Sequence, residues 1–347
     1  AFLVGHHGTR AALEASWKYV IICSVGIALA FLGTVLLYFA SVHAGPTSGA
    51  LDYPTLIARA SQLDPGVTRL AVALLLLGYG TKVGLVPFHT WLADAHSQAP
   101  APVSALMSGV LLSVALSVLL RVKTIADAAL GADFMRNGLL TMGLLSLAVA
   151  ACLLLVQRDY KRLLAYSSIE HMALASVAAA AGTALAISAL LLLLLVHGLA
   201  KAVMFISAGH LQHVFRSSQI SSVRGLLDRS PPLGMLVAGG LVTLVGLPPF
   251  GIFAGELGIA RGVAQARLWW PLAGALGLVL IGFAAVARHG TQMLLGDADP
   301  DAPTVRIGTA DTAILAIGLA GCLALGLTLG PLAALLDAAG RTLAVRS

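Results

Sequence analysis

Charge is what this chain has least of. Lysine, arginine, aspartate and glutamate make up 10% of its 347 residues, against about 25% in a soluble globular protein. The positive excess of +6 is scattered rather than gathered in a run, so it makes no case for a nucleic-acid partner. Cysteine is scarce as well. Cys23, Cys152 and Cys322 stand alone inside apolar segments, and none has metal or iron–sulfur spacing. They read as small packing residues, and neither a metal site nor a cofactor is expected. The chain also lacks a phosphate-cradling GxxxxGKS, an HExxH, a CxxC and a GxGxxG opening a helix. The opening AFLVGHHGTR has neither the charged start nor the cleavage site of a secretory signal.

What is abundant is apolar surface: 59% of the residues are hydrophobic and the mean hydropathy is +0.93. The expectation is an all-α, polytopic membrane protein whose bulk partner is the lipid bilayer. A crossing helix needs roughly 20 apolar residues. Nine spans satisfy this, at 19–41, 69–92, 102–122, 137–157, 163–182, 184–210, 234–262, 269–289 and 311–337. The connectors 42–68, 211–232 and 290–310 are longer than the rest and read as surface loops; the last carries Asp297, Asp299 and Asp301. Lysines and arginines divide almost evenly between the two sides, and only the Arg158–Arg162 cluster favours a cytoplasmic start.

Two spans are interrupted. In RLAVALLLLGYGTKVGLVPFHTWLADAH, twelve uncharged residues follow Arg69 before Lys82, and Pro87 comes five residues later. Proline removes a backbone donor and clashes with the preceding turn. Broken backbone at membrane depth survives only where protein or water surrounds it. The other interruption is Pro248-Pro249. The stretch Val83–Phe88 matches Val245–Phe250 at an offset of 162, which also sets Asp94 on Glu256. Lys18, Val20, Ser24 and Gly26 match Lys201, Val203, Ser207 and Gly209 at an offset of 183. The matched spans are five crossings apart, so the copies run in opposite directions, as in transporters built from inverted repeats. The expected division is 1–122 for the remainder of one repeat, 123–290 for the second, and 291–347 for a loop and a last helix.

The residues that carry chemistry are the ionisable ones inside these spans. A lysine at the centre of a span costs roughly 2.5–3.5 kcal/mol on insertion scales. Lys82 reads as a functional amine, against the alternative of a side chain reaching for headgroups. His197 and Lys201 stand at i and i+4, on one helix face; the alternative for His197 is a core histidine bonded to a carbonyl. Glu170 and His171 lie in YKRLLAYSSIEHMALAS among hydroxyls, where an interhelical packing cluster is the alternative. Glu256 follows the second break and reads as a path terminus or lysine partner, or else as an interfacial residue near Arg261. Asp94 and His96 follow the first break and read either as path members or as polar groups near the surface. Glu14 and Lys18 read as an ordinary helix pair.

These residues carry a resemblance. TKVGLVPFHTWLADAHSQAPAPVSALMSGVLL, RDYKRLLAYSSIEHMALAS, HGLAKAVMFISAGHL and GLPPFGIFAGE resemble the antiporter-like, proton-conducting membrane subunits of complex I, Mrp-type cation/proton antiporters and membrane-bound hydrogenases. SSIEHM and HSQAPAPVSAL favour the hydrogenase-4 component F branch. The resemblance implies fourteen helices, two inverted five-helix repeats and a polar axis along the membrane. It sets Lys82 on the lysine of the broken seventh helix, Lys201 on that of the eleventh, and Glu256 on the charged position of the broken twelfth. His171 and His197 fall between them. Ser113 stands where several relatives have an eighth-helix lysine, and Ala93 where the family has proline. The fifth-helix glutamate would precede Ala1. The implied function is proton translocation in a redox-driven complex of a bacterial inner membrane, with other membrane subunits as partners. An Mrp-type antiporter subunit is the alternative. A redox enzyme or a passive anchor fits less well, the first for want of ligand spacing and the second because buried lysines are expensive.

Overall fold

The computed structural model describes residues 1–297 and 303–344. Helix α1 (Arg10–His43) leads into a connector that holds the short α2 (Tyr53–Arg59). The first broken span is α3 (Pro65–Val83) followed by α4 (Thr90–Gln98). Next, α5 (Ala101–Leu106) runs through a π-helical turn, Met107–Leu111, into α6 (Leu112–Leu130). Three long helices follow: α7 (Ala132–Leu155), α8 (Tyr160–Ala181) and α9 (Ala184–Phe215). After the single turn of α10 (Leu226–Arg229), the second broken span is α11 (Pro231–Leu244) with α12 (Gly251–Gln265). The chain closes with α13 (Trp269–Leu295), α14 (Thr309–Leu327) and α15 (Leu332–Leu343).

Among the described residues, eight helices are long and apolar enough to cross a membrane, α5 and α6 counting as one. The pair α11–α12 supplies the ninth expected crossing from two shorter pieces. The expected last span, 311–337, is not one helix. Thr328 is extended and ends α14 at Leu327, and Gly330 then turns the chain at φ +49°, so α15 is a separate helix. The connector 42–68 is partly helical through α2. Asp299, Asp301 and Arg346 lie outside the described residues.

Both breaks are built alike. Gly84 (φ +86°) ends α3 and Gly246 (φ +66°) follows α11, positions that a side chain would strain. A cis X–Pro bond follows each, at Val86-Pro87 and Pro248-Pro249. The backbone groups freed at the first break find partners: Val86 N donates to Ser146 Oγ (2.8 Å), and Trp91 Nε1 donates to the Thr81 carbonyl (2.8 Å). The helices beside the breaks pack alike as well, α1 lying against α3 and α4, and α9 against α11 and α12.

Lipid tails are as apolar as leucine, so close backbone approach and hydrogen bonds must hold such a bundle together. Gly109 in the π turn meets Gly198 of α9 so closely that a Cβ on either would press on the other's carbonyl oxygen at 3.1–3.2 Å. Gly255, Gly258 and Gly262 let α12 lie along α9 at Leu193, Ala189 and Ala186. At the centre stands α8. Asp159 caps it by accepting from Arg162 N (2.9 Å), and Gly182 ends it in the left-handed region. Its hydrophobic window is wholly buried, whereas α14 turns most of its surface outward.

Candidate functional site

Helices α8 and α9 lie antiparallel, because Lys161 near the start of α8 meets Gln212 near the end of α9, and His171 meets His197. A line of polar side chains runs between them. From Lys161 to His171 is ten residues, or about 15 Å of helix.

At one end, Lys161 Nζ donates to the Ala99 carbonyl (2.7 Å) and to Gln212 Oε1 (3.2 Å). One turn further, Lys201 Nζ donates to the Leu164 carbonyl (2.7 Å) and to Ser167 Oγ. Lys201 is 0% exposed, and its two acceptors are an amide carbonyl and a hydroxyl, not a carboxylate. Ser168 and Ser108 share a hydrogen bond (2.8 Å) that ties α8 to the π turn. His171 Nδ1 and His197 Nδ1 lie 2.9 Å apart, with their rings edge to face. One nitrogen of this pair holds the proton and the other accepts it.

The far end is acidic. His171 Nε2 stands 4.0 Å from Glu256 Oε1. Glu170, His171 and Glu256 line a small cavity closed by Leu244, Val279 and Phe283. Glycine makes room for both carboxylates: a Cβ at Gly282 would collide with that of Glu170, and a Cβ at Gly246 with that of Glu256. The second break thus brings Glu256 to the end of the line.

Five of the residues singled out in the sequence, Lys201, His171, His197, Glu170 and Glu256, therefore come together. Lys82 does not join them. It is half-buried beside α1, with Nζ 5.1 Å from the centre of the Tyr19 ring and next to the Cys23 thiol. Asp94 bridges three helices instead, pairing with Lys18 Nζ (2.9 Å) and Arg162 Nη1 (3.0 Å). Glu14 joins that network through Lys18 (2.6 Å). His96, for which the sequence allows a path member or a polar group near the surface, is fully buried and stacked on Phe205 with ring centres 5.2 Å apart.

Two lysines counted with the loops are inside the bundle. Lys161 is 0% exposed, and Lys123 is 1% exposed and paired with Asp127. Adjacent basic residues, Arg162 and Arg121, disguised them. Helical spacing held a signal for both: Lys161 is ten residues before His171, and Lys123 is four before Asp127. His289, the last residue of the expected span 269–289, is likewise buried, against the Leu154 carbonyl (3.1 Å).

A bundle of membrane-length helices with two broken spans, threaded by buried ionisable side chains, defines a polytopic membrane protein with a polar axis in its interior. Residues 1–283 match the family model described as NADH:quinone oxidoreductase/Mrp antiporter, transmembrane, and the chain belongs to that family. It is 40% identical over 310 residues to a hydrogenase-4 component F homolog of Methylacidiphilum infernorum, covering 88% of this chain and 64% of that one. It is 34% identical to NADH-quinone oxidoreductase subunit N of Deinococcus radiodurans, covering 72% of this chain and 50% of that one. The chain thus spans about half to two thirds of the length of these relatives. Among solved structures it superposes on a chain of the membrane-bound sulfane sulfur reductase, an archaeal respiratory membrane complex. The TM-score is 0.89 at 25% identity, over 98% of this chain and 68% of the other.

Proposed function

We propose that this chain is a proton-translocating membrane subunit of a redox-driven, hydrogenase-4- or complex I-like assembly in a bacterial inner membrane, with other membrane subunits as partners. Lys201 carries this reading. It is an amine sealed from solvent, held by a carbonyl and a hydroxyl, and aligned with a histidine pair and two carboxylates. In a low-dielectric interior, moving one charge nearby changes the proton affinity of such a group strongly. Lys201 holds the proton, the His197–His171 pair passes it, and Glu256 with Glu170 receives it. Redox energy from the rest of the assembly shifts charge along the axis and drives the cycle. Lys82 serves the other half of the axis, beside the first break. In this reading residues 1–122 belong to one repeat, 123–290 to the second, and 291–347 to the closing segment.

The test is the whole parent complex in sealed vesicles. Lys201→Met abolishes redox-linked proton uptake while isolated redox half-reactions persist, and Lys82→Met does the same. Proton uptake at the unaltered rate in Lys201→Met removes Lys201 from the path and the reading with it.

A second reading, a subunit of an Mrp-type cation/proton antiporter, draws on the Glu170–Glu256 pair. Carboxylate oxygens around a small cavity suit a hard cation. The lysines on the same line speak against it. Proton uptake that requires sodium or potassium and no redox substrate favours this second reading.

A further inference from the structure

The line from Lys161 to Glu256 has a gap. Among the described residues no hydrogen bond joins the Lys161 end to Lys201, although both lie in the same seam between α8 and α9. His96 of α4 lies beside that gap: its ring rests on Phe205, one turn along α9 from Lys201, and it precedes by three residues Ala99, whose carbonyl holds Lys161. His96 is fully buried, and neither ring nitrogen has a hydrogen-bond partner. Lys201 and Lys161 are near enough to act on it electrostatically, and it acts in the same way on His197. Buried polar atoms are rarely left unpaired, and each exception asks for a reason.

Behind Lys161 the protein opens. A crevice of about 980 Å³ is lined by Ser97 and Gln98 of α4 and by Gly209, Gln212 and His213 of α9. Gln212 is the residue that accepts from Lys161, and Ala99, whose carbonyl also accepts from it, lies between the lining residues Gln98 and Pro100. The ammonium is thus one side chain away from the open space. On α9 the residues Gln212, Phe205 and Lys201 descend one face at helical spacing. Phe205 is fully buried and lies over the His96 ring.

We propose that His96 is the proton relay between this crevice and Lys201, and that Phe205 is the apolar plug that keeps water from bypassing it. The proposal rests on the transport reading and names the route by which Lys201 is loaded. The Lys161 ammonium swings from Gln212 to the His96 ring, and one of its N–H bonds breaks as one forms at the unprotonated nitrogen of His96. The proton on the other His96 nitrogen leaves for the neutral Lys201 amine. Lys161, left neutral, takes a proton from crevice water, and a turn of the imidazole ring restores its first tautomer. Protons balance at each step, and nothing is oxidised or reduced.

The test uses the whole parent complex in sealed vesicles. His96→Asn keeps a polar side chain of similar size that cannot relay, and proton uptake per redox turnover falls roughly a hundredfold. An unaltered rate overturns the proposal. Water access is read separately, in a background with Cys23, Cys152 and Cys322 replaced by alanine. There Lys201→Cys reacts slowly with a membrane-impermeant methanethiosulfonate. Adding Phe205→Ala makes that reaction at least about tenfold faster; equal rates overturn the plug, and this measurement stands even where His96→Asn fails to assemble. Should Lys201→Met pump normally, the transport reading itself falls. Should Lys201→Met be dead and His96→Asn fully active, only the relay falls.

Discussion

A proton shared between His171 Nδ1 and His197 Nδ1 leaves only one of the two rings able to donate across the contact at any moment. The pair is therefore a unit, and its loss should not be additive. His171→Asn and His197→Asn each stop proton uptake by vesicles holding the parent complex, and the double variant is no worse than either; additive losses would show two separate roles. Lys123 and Asp127 form a different kind of buried pair, remote from the line. Removing one partner strands a charge, at a cost of about 3–5 kcal/mol. Lys123→Met accordingly lowers the thermal stability of the purified complex, and adding Asp127→Leu restores most of it. Proton uptake per assembled complex stays the same. Lysines such as these mark the limit of sequence reading at this scale. Lys201 stood out because apolar residues flank it on both sides. Lys161 and Lys123 did not, because each sits within two residues of an arginine and only packing shows which of the neighbours turns inward. Lys82 carried the same apolar signature as Lys201, yet it lies half-buried against α1. The length of the flanking apolar run tells depth along a membrane helix, not the direction in which a side chain points.

The broken helices were the most legible elements, because proline and glycine act on the backbone directly and need no tertiary context. Both breaks fall where the prolines are, and the repeated Val-Gly-Leu segment marks the same turn twice. The end of the chain was less legible. The Gly330-Pro331 dipeptide is the signal of that turn, but the long apolar stretches on both sides of it read together as one crossing. Gly198 instead serves a close approach, and its partner Gly109 lies on a π turn that no sequence signal announced. Gly198→Val forces α9 from the π turn at a cost of about 1–3 kcal/mol. It also displaces the adjoining His197, so thermal stability and proton uptake fall together. Gly246→Ala is expected to cost more uptake than Gly282→Ala. Both crowd a carboxylate, but Gly246 also sits at positive φ, where a side chain costs roughly 1–2 kcal/mol further. Equal rates in the two variants would show that backbone strain at the break is of no consequence.

At the scale of the whole molecule, the most deeply buried of the long helices is also the least hydropathic. The wholly enclosed α8 has the lowest hydropathy of the eight long helices, 1.2 in its best window, while outward-facing α14 reaches 1.9 and α1 reaches 2.7. The bilayer solvates the greasy helices, and the protein solvates the polar one. A carbene photolabel dissolved in the lipid should mark α13 and α14 and leave Tyr160–Ala181 blank when the peptides are weighed by mass spectrometry. Labelling of α8 would contradict this arrangement of helices.

The low hydropathy of α8 bears on how the chain is made. A segment carrying Lys161, Arg162, Glu170 and His171 is a poor candidate to leave the translocon unaided, since charged residues weigh heavily against insertion. Only Gly182 and Thr183 separate it from α9, whose hydropathy of 2.3 is ample. The two helices must then enter the bilayer as a hairpin, the second carrying the first. Biogenesis would in that case seat Lys201 against Leu164 and Ser167 before the surrounding helices close, so that the polar seam is assembled during synthesis rather than threaded afterwards.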